Sequence, residues 1–284
     1  MRVLTPGSGR PGELESRGGV CALAVMAKAP RPGAVKTRLS PPLTPEQAAG
    51  ISMCFLRDTV ENVAAAAACG GVAGLVAYSP VGDEAMFEAL LPEGFALVGQ
   101  RGVGFGERLL GVAEDVLACG YGSVCLIDGD SPTVPRAAYE QAVAELARGG
   151  DRIVLGGTAD GGYYLIGMKR VHAAVFAGIH WSTQTVYTET LERARAAGIE
   201  VVELPLWYDV DDRATLDILK AELLAGIAPG FATLPGYAAR HTREFLLTLD
   251  LAPEAKLAAE GLRTVDVLDR DEREPGDPAL SDGE

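Results

Sequence analysis

The chain has 284 residues, 48% of them hydrophobic and 6% aromatic, and a formal net charge of -14. It is long enough to bury one large core, or a core with a small appendage, while the negative charge argues against nonspecific nucleic-acid binding, which needs a basic face. No stretch approaches the roughly 18–20 uninterrupted apolar residues of a membrane span; the cysteines at 21, 54, 69, 119 and 125 are scattered and mostly inside apolar runs, a pattern of reduced core thiols in a cytoplasmic protein.

The first twenty residues mix Gly, Pro, Ser and both charges without an apolar core segment, so they read as a loose leader rather than a signal peptide. The apolar run Cys21–Met26 then predicts a buried strand that ends near Lys28, because Pro30, Pro32 and Gly33 punctuate the chain. The two prolines fix φ and Gly33 permits a sharp turn, so Lys28, Arg31, Lys36 and Arg38 are expected on a stiff bend. Such a bend suits a polyanion, although clustered cations in a loop are also an ordinary solvated surface. A Walker A loop is excluded: Lys36-Thr37 lacks the glycine immediately before the lysine.

Thr44-Pro45-Glu46-Gln47 is a capping box with proline at the first helical position, and it predicts a helix over Pro45–Ala68. Strand Val72–Tyr78, helix Asp83–Leu91 and strand Phe95–Val98 follow. The Gly102, Gly104, Gly106 loop precedes a helix over Glu107–Ala118; its spacing is not that of a dinucleotide fingerprint. Ser123–Ile127 is the clearest buried strand and runs into Asp128-Gly129-Asp130-Ser131-Pro132. Helix Pro135–Ala147, strands Arg152–Gly156 and Tyr164–Met168, helix Thr185–Ala197, strand Glu200–Leu204 and helix Ala214–Leu224 complete an alternation that implies an α/β fold, a mostly parallel sheet with helices on both faces. In such sheets ligands bind at the carboxyl ends of the strands. Past Gly226 a small helix is expected over His241–Leu249, before an acidic end expected to be disordered.

Two acidic groups sit at predicted strand ends. Asp128-x-Asp130 can hold Mg2+ or Mn2+ through oxygen, or simply make a turn. Asp209 and Asp211 could complete the metal shell, while Asp212 reads as a helix cap. Asp160-Gly161-Gly162 either brings backbone close to a ligand or only connects a hairpin. His180 reads as structural, and Ser182-Thr183 as a further helix cap.

With these residues in place, five ordered motifs carry a resemblance: Lys28-x-Pro30-x-Pro32-Gly33-x-Val35-Lys36-Thr37-Arg38-Leu39, Asp130-Ser131-Pro132, Asp160 to Gly167, Trp181-Ser182-Thr183 and Trp207-Tyr208-Asp209-Val210-Asp211. Together they resemble the bacterial radical-SAM/selenodomain-associated transferases, GT-A-like glycosyltransferases of the nucleotide-diphospho-sugar transferase superfamily. The resemblance implies a GT-A-like catalytic domain over 21–225, between the leader at 1–20 and a helical extension at 226–250, with the acidic tail at 251–284. It implies a nucleotide over the amino-terminal half, at Lys28, Gly33, Lys36, Thr37 and Arg38, and a divalent cation near Asp130. That family commonly has glycine where this chain has Asp128, so a metal role for Asp128 rests on its position beside Asp130.

The chemistry expected is transfer from a nucleotide-activated donor, with Mg2+ or Mn2+ at Asp128, Asp130 and Asp211. Glycosyl transfer from a nucleotide sugar to a small acceptor needs a carboxylate base, for which Asp160 comes first and Asp209 second, with Gly161, Gly162, Tyr163 and Trp181 toward the substrate. Nucleotidyl transfer to a phosphorylated or acidic small molecule needs only cations and positioning, and a catalytically inactive nucleotide-binding module is a third possibility. No nucleic-acid or membrane partner is expected.

Overall fold

The computed structural model describes residues 2–7, 16–68 and 70–249. Most of the leader, Cys69 and the acidic tail therefore lie outside the described residues. The strands are β1 (Arg2–Val3), β2 (Cys21–Lys28), β3 (Val72–Ser79), β4 (Ala96–Gly99), β5 (Ser123–Ile127), β6 (Arg152–Thr158), β7 (Tyr163–Met168) and β8 (Glu200–Trp207). They form one sheet in the order β1-β4-β3-β2-β5-β7-β6-β8. Every neighbouring pair is parallel except β5 with β7 and β6 with β7.

The helices are α1 (Pro45–Ala67), α2 (Glu84–Glu88), α3 (Phe105–Ala118), α4 (Arg136–Ala147), α5 (Val186–Ala196), α6 (Arg213–Ala225) and α7 (Arg240–Thr248). The capping box of α1 forms as expected: Gln47 N donates to Thr44 Oγ1 at 3.2 Å and Thr44 N donates to Gln47 Oε1 at 2.9 Å. Asp212 caps α6, accepting from Thr215 N at 2.9 Å.

Side-chain alternation along β2 divides the core. Ala22, Ala24 and Met26 join Leu109, Val112 and Val116 of α3 in one cluster, together with Leu191 and Ala194 of α5. Leu23 and Val25 are fully buried on the opposite face, the side where α1 and α4 meet β2. The two-faced cover makes these strands read as continuous apolar runs, which is why the sheet was legible.

β2 ends at Lys28, where the Pro30–Gly33 punctuation predicts. Element ends depart furthest from expectation at two places, α2 and β8. The helix expected over Asp83–Leu91 is confined to Glu84–Glu88. β8 continues through Pro205 to Trp207, which an edge strand tolerates because one row of its backbone groups has no ladder partner. In addition, Arg2–Val3, counted with the leader, pair in parallel with Ala96–Leu97 of β4. Among the described residues no helix is long and apolar enough to cross a membrane. Cys21, Cys54, Cys119 and Cys125 carry free thiols.

Candidate active site

β2, β5, β6 and β8 point the same way in the sheet, so the loops that leave them gather at one edge. They surround a cleft of about 890 Å³. Of the residues singled out in the sequence, Lys28, Lys36, Thr37, Arg38, Asp128, Asp130, Asp160, Gly162, Tyr163, Trp181, Asp209 and Asp211 all line it. Gly33 and Gly161 stand outside the lining. Gly161 has φ +93, and a Cβ there would lie 2.0 Å from the Gln184 carbonyl oxygen, so its part is to let the Asp160 turn pack on the following loop.

The basic bend splits its cations among different duties. Lys28 Nζ donates to Ala34 O at 2.9 Å, closing the bend on itself. Arg31 pairs with Asp83 through Nε at 3.1 Å. Arg38 is exposed at the cleft. Lys36 turns inward from a left-handed backbone, φ 48 and ψ 38, ahead of the short 3-10 turn Thr37–Leu39. Its ammonium lies 2.7 Å from Asp130 Oδ1 and 2.9 Å from Asp211 Oδ1, and it donates to Val210 O at 2.8 Å. Burial pushes the Lys36 pKa down, but the two aspartates outweigh it and hold the group charged, above the ordinary lysine value.

The carboxylates come from three strand ends. Gly129 lets the β5 loop pass against β2: a Cβ there would meet Met26 O at 2.8 Å. Asp128 Oδ2 accepts from Ser131 Oγ at 2.7 Å, and its Oδ1 is buried without a hydrogen-bond partner. Burial, followed by Asp130 and Asp209, pushes the Asp128 pKa well above the usual carboxylate range. After β8, Trp207 and Tyr208 anchor the loop: Trp207 Nε1 donates to Thr133 Oγ1 at 3.1 Å and Tyr208 Oη to Glu222 Oε2 at 2.5 Å. That anchoring leaves Asp209 and Asp211 on the cleft. Asp209 is pushed up to about 7, mainly by burial and then by Asp160 and Asp211.

β6 shifts register at Gly156–Gly157 against β7, just before the Asp160 turn, a bulge of the kind that re-aims side chains beside sites. Asp160 Oδ1 accepts from Thr158 Oγ1 at 2.6 Å and from Gly162 N at 2.9 Å. So Asp160 builds the hairpin connection and also borders the cleft.

The opposite wall is aromatic. Trp181 meets Phe105 edge-on at 5.3 Å between ring centroids and Tyr163 at 6.3 Å. Phe105, Arg108 and Gln100 line the cleft and were missed in the sequence; the glycine-bracketed, solvent-facing Phe105 was the available signal. Gln100 Nε2 ties the strand ends together through Ala77 O at 2.7 Å and Ala27 O at 3.3 Å. Ser182-Thr183 do not cap α5. Thr183 Oγ1 donates instead to His180 O at 2.6 Å, and His180 pairs with Glu189 through Nδ1 at 3.0 Å.

A family profile described as an uncharacterized protein conserved in bacteria (DUF2064) matches residues 62–183. No curated protein matches the chain. Among solved structures, a Desulfovibrio desulfuricans G20 protein provisionally named a nucleotide-diphospho-sugar transferase is 29% identical with a TM-score of 0.66, the match covering 79% of this chain and 97% of that one. A CMP:2-keto-3-deoxy-manno-octonic acid synthetase complexed with CTP is 16% identical at a TM-score of 0.46, over 73% and 100% of the two chains. Glucosyl-3-phosphoglycerate synthase from Mycobacterium tuberculosis, in complex with Mn2+, UDP and glucosyl-3-phosphoglycerate, is 17% identical at a TM-score of 0.44, over 80% and 89%. The chain has the GT-A-like fold of the nucleotide-diphospho-sugar transferases.

Proposed function

We propose that the protein is a metal-dependent transferase that moves a glycosyl group from a nucleotide-diphospho-sugar to a small acceptor. The observation that carries this is the single cleft uniting a basic bend with carboxylates from three strand ends. Likeness in fold and sequence to the Desulfovibrio protein supports it.

In this reading Lys28 and Arg38, with Thr37 beside them, bind the donor's diphosphate through charge-assisted hydrogen bonds. Asp128 and Asp130 would hold Mg2+ or Mn2+. They fit a hard cation because they offer only oxygen and because Asp128 Oδ1 is buried with no partner. When bound, the ion neutralises charge on the departing diphosphate. Asp209 takes the proton of the acceptor hydroxyl as that oxygen attacks the anomeric carbon and the bond to the diphosphate breaks, a single displacement that inverts the centre. Asp209 is preferred to Asp160, one of whose oxygens is already engaged by its own turn. Tyr163, Trp181 and Phe105 border the acceptor side, where their rings suit an alcohol with apolar faces.

Nucleotidyl transfer is the weaker reading because it must gather a triphosphate. The three N–H groups of Lys36 are already engaged by protein oxygens, which leaves Lys28 and Arg38 for phosphate on the bend. The four free thiols among the described residues, with Cys21 and Cys125 sulfurs 4.0 Å apart, support a cytoplasmic setting. The test is to incubate the protein and Mn2+ with separate panels of nucleotide sugars and nucleoside triphosphates. Thermal stabilisation by a nucleotide sugar and release of free nucleoside diphosphate are expected. Pyrophosphate release from a triphosphate would replace glycosyl with nucleotidyl transfer, and no response to any nucleotide would overturn both.

A further inference from the structure

Lys36 is held in a way unlike the other cations of its loop. Its side chain is only 5% exposed, whereas Asp130 and Asp211 are each 45% exposed. All three ammonium hydrogens have acceptors: Asp130 Oδ1, Asp211 Oδ1 and the Val210 carbonyl oxygen. The ammonium lies 5.6 Å from the centre of the ring of Phe55, a fully buried residue of α1. Its backbone begins the Thr37–Leu39 turn, with Leu39 N donating to Lys36 O at 2.9 Å. The acceptors are fixed as well, since Val210 N donates to Asp130 O at 3.0 Å. Asp211 N and Asp212 N both donate to Thr215 Oγ1, at 3.0 and 3.1 Å.

Moving this ammonium onto a phosphate would forfeit all three bonds and leave two carboxylates facing each other with no cation between them, so the bound position is the working position. Asp211 is then matched by a positive charge, whereas Asp128 on the other flank of Asp130 keeps a buried oxygen with no partner.

We propose that Lys36 is a fixed second cation of the donor site: its ammonium takes the position between Asp130 and Asp211, a single divalent ion binds on the Asp128–Asp130 side, and Asp211 is not one of that ion's ligands. Resting on the metal-dependent transferase proposed above, this makes Lys36 and Asp211 positioning residues. They set the charge beside the ion without touching it, and Lys36 does not bind phosphate.

The experiment is a Mn2+ titration of the full chain followed by electron paramagnetic resonance, which counts bound ions and detects pairs. One ion per wild-type chain is expected. Asp211→Asn should weaken Mn2+ binding by roughly tenfold, as for a residue that acts through the ligands, while Asp128→Asn, which removes a direct ligand, should weaken it by a larger factor. Lys36→Met should take up a second ion, spin-coupled to the first, in the place the ammonium left. Loss of affinity in Asp211→Asn as large as in Asp128→Asn would overturn the proposal, as would a folded Lys36→Met chain that still binds one ion with unchanged Kd. If Lys36→Met does not fold, the comparison of Asp211→Asn with Asp128→Asn decides alone. Wild-type protein that binds no Mn2+ would overturn both this and the metal-dependent function. Turnover of a nucleotide sugar alongside a failed Asp211→Asn prediction would remove only the assignment of Lys36 and Asp211.

Discussion

Where α7 meets α1, Asp58, Glu61 and His241 bring three ligand atoms within 4.8 Å of one another, among the described residues the one His/Cys/Asp/Glu group so tightly drawn. The carboxylates of the cleft are more loosely spaced, yet the two clusters differ most in what their oxygens already hold. Asp58 Oδ1 accepts from His241 N at 3.0 Å and Oδ2 from Thr242 N at 2.7 Å, and Glu61 Oε1 meets His241 Nε2 at 2.7 Å. These are the orphan donors at the start of α7, which Asp58 satisfies from another helix. In the cleft, Asp128 Oδ1 has no partner at all. Liganding capacity follows unsatisfied acceptors more closely than it follows distance: the tight cluster fastens a helix, and the loose one faces an open cavity.

The largest effect that would sharpen this contrast is at Asp209. Asp209→Asn should lower kcat by about 10²–10⁴-fold with the melting temperature preserved, measured by release of nucleoside diphosphate; a large stability loss with little change in rate would make Asp209 structural and blur the two regions. Asp58→Ala should do the reverse. It removes the cap of α7 and should lower the unfolding free energy by about 1–3 kcal/mol, read from urea denaturation, with the Mn2+ isotherm unchanged. A shifted isotherm would move the metal to the helix junction and break the comparison.

The smallest effect concerns pH and the loop that carries Trp181. Glu189 accepts from His180 N at 2.8 Å and Thr185 Oγ1 at 2.7 Å, and these hydrogen bonds, the backbone one first, hold its pKa down to about 2. A depressed folded-state value means that its contribution is fully present above its ordinary value of 4.5 and fades as pH falls from there toward about 2. The difference in urea midpoint between wild type and Glu189→Gln should therefore be visible at neutral pH and shrink below that window. A difference independent of pH would assign the effect to packing.

Much of this arrangement could be read from the chain because its chemistry sits at strand ends. The run Ser123–Ile127 announces a buried strand, and whatever follows such a strand in a parallel sheet reaches the same edge as its neighbours; Asp128, Asp130 and Asp209 were found that way. What could not be read depends on partners far away in sequence. Nothing near Lys36 shows that it turns inward to Asp211, 175 residues on, since that follows from a left-handed backbone angle and from the course of β8. The antiparallel insertion of β7 between β5 and β6 is equally silent, because a strand buried on both faces looks the same in either direction. Phe105 and Arg108 are nearly silent in the sequence because both lie in the first turn of α3, where an exposed apolar or basic side chain is ordinary.

The peptide of Val210 has a consequence for how ligands would be received. Its N–H holds the loop after β5 and its carbonyl holds the loop after β2, while the residue itself belongs to the loop after β8. Three separate segments are thereby clasped at one point and behave as a single jaw, assembled before any substrate arrives. A ligand entering the cleft would not have to organise its own seat, and the entropy of ordering has been met during folding.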